Sequence, residues 1–288
     1  MSSLRAQISR ILTWSAVDGP GNRMVLFLQG CNFNCLACHN PHTMGHCNDC
    51  GECLPACPTP ALSMLEGKMR FDPTLCTKCD ACLDACPINA SPMAESYSVA
   101  DVLAVIRENR DFISGLTVSG GEATLQLPFV RALFAAMGDA PDLGHLTRFI
   151  DTNGYLGPDA WKSVLAVTDG VMLDIKAFDP DRHRFLTGRD NARSLESARL
   201  LHAAGKLYEL RFLMIPGQTD SEAEIDSLVA FVRALGGPVR VRLNAFRTHG
   251  VRGVAADWPP MQKDRVDEAA RILADAGIGP VVLPALYV

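Results

Sequence analysis

All eleven cysteines of this chain fall between Cys31 and Cys86, and nothing constrains its fold more. They divide by spacing. Cys31, Cys35 and Cys38 make a C-x3-C-x2-C group. Cys47, Cys50, Cys53 and Cys57 make C-x2-C-x2-C-x3-C, closed by Pro58. Cys76, Cys79, Cys82 and Cys86 repeat that run, closed by Pro87. Three, four and four account for every cysteine. In a chain of 288 residues such clustering points to metal ligation rather than to a disulfide scaffold. The triplet can hold three irons of a four-iron cubane and leave the fourth open, with a partial zinc site or ordinary buried cysteines as the competing readings. In each quartet the first three cysteines wrap one cluster and the fourth, ahead of proline, ligates the other. Cys47, Cys50, Cys53 and Cys86 then share one cluster, and Cys57, Cys76, Cys79 and Cys82 the second. Zinc sites pair C-x2-C motifs across longer gaps, so iron–sulfur is the expectation here.

The remaining sequence is that of a large α/β protein. With 48% hydrophobic residues the chain can bury a sizeable core. A net charge of −5 without any basic run argues against nucleic acid as a partner. Met1–Ile11 carries Arg5 and Arg10 in place of a signal peptide's apolar stretch, and no apolar run approaches a membrane span. The expectation is a soluble, cytoplasmic protein that needs no membrane.

Residues 23–30 read as a buried strand ending at Gly30. From Ser98 onward, helix-like and strand-like patterns alternate. Strands are expected over 115–119, 146–151, 170–175, 208–215, 239–243 and 280–283. Helices are expected over 99–108, 129–137, 159–166, 192–204, 221–235 and 263–276. Such alternation implies a parallel sheet with right-handed crossovers. Residues 41–95 differ in texture, with cysteine, proline and short polar turns dominating, so they form an inserted module between 1–40 and 96–288.

Several strand ends carry polar groups. Gly120, Gly121 and Glu122 follow the 115–119 strand; glycines let backbone approach a ligand closely, and a carboxylate accepts from an ammonium. Asp151, Thr152, Asn153 and Gly154 end the next strand. Asp174 and Lys176 flank Ile175 and share one side of a strand, because side chains alternate with period two. They form a carboxylate-binding pair or a structural salt bridge at the sheet rim. Arg211 is a polar lining residue or a plain rim charge, and His249, in the late Arg242–Gly250 segment, is a structural or a ligating histidine.

The run Gly30-Cys31-x3-Cys35-x2-Cys38-His39-Asn40 resembles the cluster loop of radical S-adenosylmethionine (SAM) enzymes. Its Cys-His-Asn ending resembles that of glycyl-radical-enzyme activating enzymes, and Val17-Asp18-Gly19-Pro20-Gly21 looks similar to a turn of theirs. The layout, through Pro284-Ala285-Leu286-Tyr287-Val288, most resembles the YjjW-type activases. That resemblance implies a partial (β/α)6 radical SAM barrel with a bacterial-ferredoxin-like insert. It implies three 4Fe–4S clusters, and SAM bound through its methionine end to the open iron. The catalytic set becomes Cys31, Cys35, Cys38 and Asp18. SAM contacts fall to Ala37, Cys38, His39, Gly120, Gly121, Glu122, Asp151, Asp174, Ile175, Lys176 and His249. Asp151, Thr152, Met172 and Asp174 match a monovalent-cation site of relatives. The implied reaction is anaerobic: reductive SAM cleavage, then hydrogen abstraction from a glycine of a partner glycyl radical enzyme, with a flavodoxin- or ferredoxin-type reductant. At 246 or 247 the sequence departs from the relatives' Pro-Tyr-His pattern. Two rival readings stand beside it: a radical SAM enzyme acting on a small molecule or peptide, and a ferredoxin-like electron carrier.

Overall fold

The computed structural model describes residues 4–284, so residues 285–288 of the carboxyl-terminal motif lie outside the described residues. They form two compact units, 4–32 with 40–146 and 33–39 with 147–284.

The first unit opens with β1 (Arg5–Ser15) and β2 (Arg23–Leu28), and continues through a small hairpin, β3 (Leu62–Leu65) and β4 (Lys68–Phe71). A single helical turn, α1 (Ala81–Asp84), precedes β5 (Glu95–Ser98), α2 (Val99–Asn109), β6 (Gly115–Gly120) and α3 (Leu127–Asp139). The sheet runs β6-β2-β1-β5, with β2 parallel to β6 and β1 antiparallel to both its neighbours. Met24, Val25, Leu26 and Leu28 are fully buried, as a strand covered on both faces requires. Each such side chain contributes roughly 1.5–3 kcal/mol relative to exposure. Ser98 caps α2 through a capping box with Asp101.

β1 was not expected from the sequence. Only Ala6 and Ile8 of its first half are buried, and polar residues fill the rest. Residues 41–95 lie wholly within this unit. Within them Cys53, Leu62, Cys82 and Leu83 form an apolar cluster, with Leu54, Cys57, Met69, Phe71, Ala85 and Met93 packed on it.

The second unit contains β7 (Thr147–Thr152), α4 (Pro158–Leu165), β8 (Gly170–Ile175), α5 (Pro180–Thr187), α6 (Ala192–Ala203) and β9 (Leu207–Met214). It ends with α7 (Glu222–Leu235), β10 (Val241–Ala245), α8 (Lys263–Asp275) and β11 (Val281–Val282). The strands pair in chain order and all in parallel. Ser221 caps α7 as the sequence suggests, its hydroxyl accepting from the Glu224 amide. The unexpected element is α5, a short, polar helix whose sequence shows no apolar stripe.

Candidate cluster and cofactor site

In the second unit the cluster loop is fastened to α5. The Asn34 and Leu36 amides each donate at 2.9 Å to the Thr187 and Leu186 carbonyls. These are carbonyls that a helix end leaves without intrahelical partners. The segment before α5 is itself anchored: buried Glu224 accepts from the Phe178 and Asp179 amides, each at 2.7 Å. Within α5, fully buried His183 sits edge-on to Phe33, with ring centroids 5.5 Å apart. Its Nδ1 bonds the Arg189 carbonyl at 2.8 Å. Neither Glu224 nor His183 is announced by any motif.

Cys35 and Cys38 are half-buried, and the Cys38 amide turns back to the Cys35 carbonyl at 3.3 Å. Lys176 lies in their field, half-buried, with Nζ donating to Asp174 Oδ2 at 2.8 Å. Burial alone would lower the Lys176 pKa. Asp174, with Cys35 and Cys38, outweighs that and raises it, so the ammonium stays charged. Ile175 and Ala37 are buried beside them. His39 Nε2 bonds the Arg247 carbonyl at 3.0 Å. Gly250 passes so close that a methyl group there would stand 2.4 Å from the His39 carbonyl oxygen, and its φ of +75° is a left-handed conformation. Phe246 is fully buried against His39 and Trp258, whereas His249 is exposed.

Asp151 and Arg211 belong to a buried charge network. Glu209, 1% exposed, accepts from Arg211, Arg240 and Arg242 at 2.8, 2.9 and 2.9 Å. Burial would raise the Glu209 pKa, but Arg211 and Arg242 outweigh it and hold the carboxylate ionised. Arg211 also reaches Asp151 Oδ1 at 3.3 Å and Met172 Sδ at 2.9 Å.

In the first unit the Cys31 amide donates to the Met44 carbonyl at 2.9 Å, and that of Gly30 to Thr43 at 2.8 Å. Asp18 accepts from the Ser15 hydroxyl, and its carbonyl accepts from Thr117 at 2.7 Å. Thr117 in turn accepts from fully buried Arg23 at 3.0 Å. The two glycines of the Gly-Gly-Glu turn serve the protein's own packing. A methyl group on Gly120 would stand 2.1 Å from the Leu28 amide nitrogen, and one on Gly121 2.3 Å from the Gly30 carbonyl oxygen. The close approach expected toward a ligand is therefore first an approach to the end of β2. Glu122 is buried, and its Oε1 accepts from both the Thr124 amide and hydroxyl, at 2.9 and 2.6 Å.

Residues 41–95 line two cavities. One is bordered by Cys47, Cys50, Cys53 and Cys86. The other is bordered by Cys57, Cys76, Cys79 and Cys82. The sequence repeat is also a backbone repeat. Asp49 and Lys78, each one residue before the second cysteine of its run, take φ of +62° and +57°; Gly51 and Asp80, each one after, take +81° and +60°. Non-glycine residues rarely accept this conformation, and here it bends each loop around its cavity. Burial, reinforced by Cys53 and Cys57, pushes the Cys82 thiol up to about 11. Crowded thiols of this kind need a cationic centre to ionise, and a metal or iron–sulfur centre would supply one.

The chain matches the radical SAM superfamily over residues 25–229 and belongs to it. It is a radical SAM enzyme with an α/β fold and a parallel, partially barrel-like sheet, and the family implies a 4Fe–4S cluster and SAM. Its relatives include activating enzymes of glycyl radical enzymes. The pyruvate formate-lyase-activating enzyme of Streptococcus mutans is 31% identical, covering 91% of this chain and 88% of that one. The trans-4-hydroxy-L-proline dehydratase activating enzyme of Clostridioides difficile is 32% identical over 76% of this chain and 77% of its own. Among solved structures, QueE from Escherichia coli shares the fold at a TM-score of 0.55, with 14% identity, over 98% of this chain and 95% of its own. No helix among the described residues is long and apolar enough to cross a membrane.

Proposed function

We propose that this chain activates a partner glycyl radical enzyme, taking a hydrogen atom from a glycine Cα of that partner. Two observations support the reading. The relatives that cover most of the chain carry activating-enzyme names. Lys176, clamped by Asp174, holds its charge beside Cys35 and Cys38. The observation that carries the site is that lysine. An ammonium fixed next to cluster cysteines is placed to bind the carboxylate of SAM's methionine end. When bound, the cluster and SAM together supply a carbon-centred radical able to abstract hydrogen. The residues of this chain do the holding: α5 fixes the loop, Asp174 orients Lys176, and Gly250 lets the late segment lie against His39.

The insert, in this reading, binds two further 4Fe–4S clusters through the crossed cysteine sets, and relays electrons from a flavodoxin- or ferredoxin-type donor. Its support is the division of eight cysteines, four to each cavity. The experiment for the whole proposal is anaerobic incubation with candidate partners, SAM and a reductant, followed by electron paramagnetic resonance for a protein-based glycyl radical.

A further inference from the structure

The four residues matched to a monovalent-cation site all have partners inside the second unit. Asp151 Oδ1 accepts from Arg211 Nη1 at 3.3 Å, and Met172 Sδ from Nη2 at 2.9 Å. Thr152 Oγ1 accepts the Gly154 amide at 3.0 Å, and Asp174 Oδ2 accepts Lys176 at 2.8 Å. Strand register explains the arrangement. Asp151 stands opposite Met172, and Asp174 stands opposite Arg211 on the next strand. A guanidinium on β9 therefore bonds Asp151 and lies in the field of Asp174. Each of its three nitrogens has a different partner, since Nε donates to Glu209 at 2.8 Å. Arg211 is 8% exposed, so this is a built site and not a surface charge.

A metal ion in the same place would meet that guanidinium. Two like charges a few ångströms apart in a poorly solvated site repel strongly. Counting charges gives the same answer. Arg211, Arg240, Arg242 and Lys176 make four positive groups, and Asp151, Asp174 and Glu209 make three negative ones. Among these seven side chains one positive charge is in excess. A bound potassium or sodium ion would make it two. The residues present do not fit the cation.

We propose that Arg211 is the built-in replacement for that ion: its guanidinium supplies the positive charge in cis, and SAM binding requires no added monovalent cation. The proposal rests on the reading of Asp174 and Lys176 as the holders of SAM's carboxylate. A guanidinium suits the role because it is always charged and its forked donors match fixed acceptors.

The test measures SAM affinity of the anaerobically reconstituted holoenzyme by calorimetry. Potassium chloride, sodium chloride and N-methylglucamine chloride are compared at matched ionic strength. The dissociation constants should agree within about twofold. An affinity that collapses in N-methylglucamine and returns with potassium would overturn the proposal. Absence of SAM binding in every salt, at full iron content, would instead overturn the reading of Asp174 and Lys176, and this proposal with it. Arg211→Gln supplies the converse. Glu209 keeps Arg240 and Arg242, so the network retains its buried centre. The variant should bind SAM roughly tenfold more weakly in N-methylglucamine, the cost of one lost charged interaction, and regain affinity with potassium. A variant indifferent to potassium would reduce Arg211 to a structural residue and count against the proposal. Should it fail to fold, the wild-type salt comparison decides.

Discussion

Lys176 reaches back two residues to Asp174, its Nζ 2.8 Å from Oδ2, just beyond the end of β8. The period-two geometry of a strand puts both groups on one side, as their spacing suggests. The pair is partly solvated, so as a salt bridge it stabilises the fold by at most about 1 kcal/mol. Lys176→Ala should therefore leave iron content and melting temperature nearly unchanged while weakening SAM binding roughly tenfold or more. Unchanged SAM affinity with a lowered melting temperature would restore the plain rim salt bridge.

Gly250 permits a contact that no other residue allows. Gly250→Ala places a methyl group 2.4 Å from the His39 carbonyl oxygen, in addition to straining a φ of +75°. Gly217 is the control, with φ +67° and no heavy atom within 4 Å of an added methyl group. Left-handed strain alone costs about 1–2 kcal/mol in either variant. Only Gly250→Ala should also displace the loop that carries Cys38, lowering SAM affinity and the iron bound by the triplet. Equal behaviour of the two variants would show that the contact with His39 does not matter.

Much of the candidate site is legible in the sequence because its pattern is written in spacing. Cysteine intervals, the Gly-Gly-Glu turn and the Asp-x-Lys pair are local patterns, and the buried strands are short apolar runs. What escapes is whatever depends on neighbouring strands or on polar helices. Glu209, Arg211, Arg240 and Arg242 look like ordinary charges until register aligns Arg211 with Arg242 on adjacent strands. α5 is too polar to show an apolar stripe, yet it holds the cluster loop. β3 and β4 are four residues each, joined through Glu66 and Gly67 at φ of +51° and +72°, a turn too brief to read from composition.

Iron content tests the ligand assignment. Three four-iron clusters predict about 12 irons per chain after anaerobic reconstitution, and about eight when Cys31, Cys35 and Cys38 are all replaced by alanine. Stoichiometric zinc in the quartets would contradict it.

The small core of residues 41–95 is built partly from Cys53 and Cys82 themselves, so, on the proposed ligation, iron chelation should unfold it. Relay and stapling part company in the reductant. Cys79→Ala, in soluble and iron-quantified protein, should lose SAM cleavage with a protein donor and largely retain it with a small, strong chemical reductant. Equal loss with both reductants would reduce the insert to a staple.

The central claim is radical transfer to a protein, and electron paramagnetic resonance of the partner measures it directly. With SAM, reductant and the correct glycyl radical enzyme under anaerobic conditions, a glycyl radical signal should appear on the partner, matched by 5′-deoxyadenosine. It should be lost when the partner glycine is replaced by alanine. SAM cleavage that yields a modified small molecule or peptide, with no radical on any candidate partner, would contradict the account.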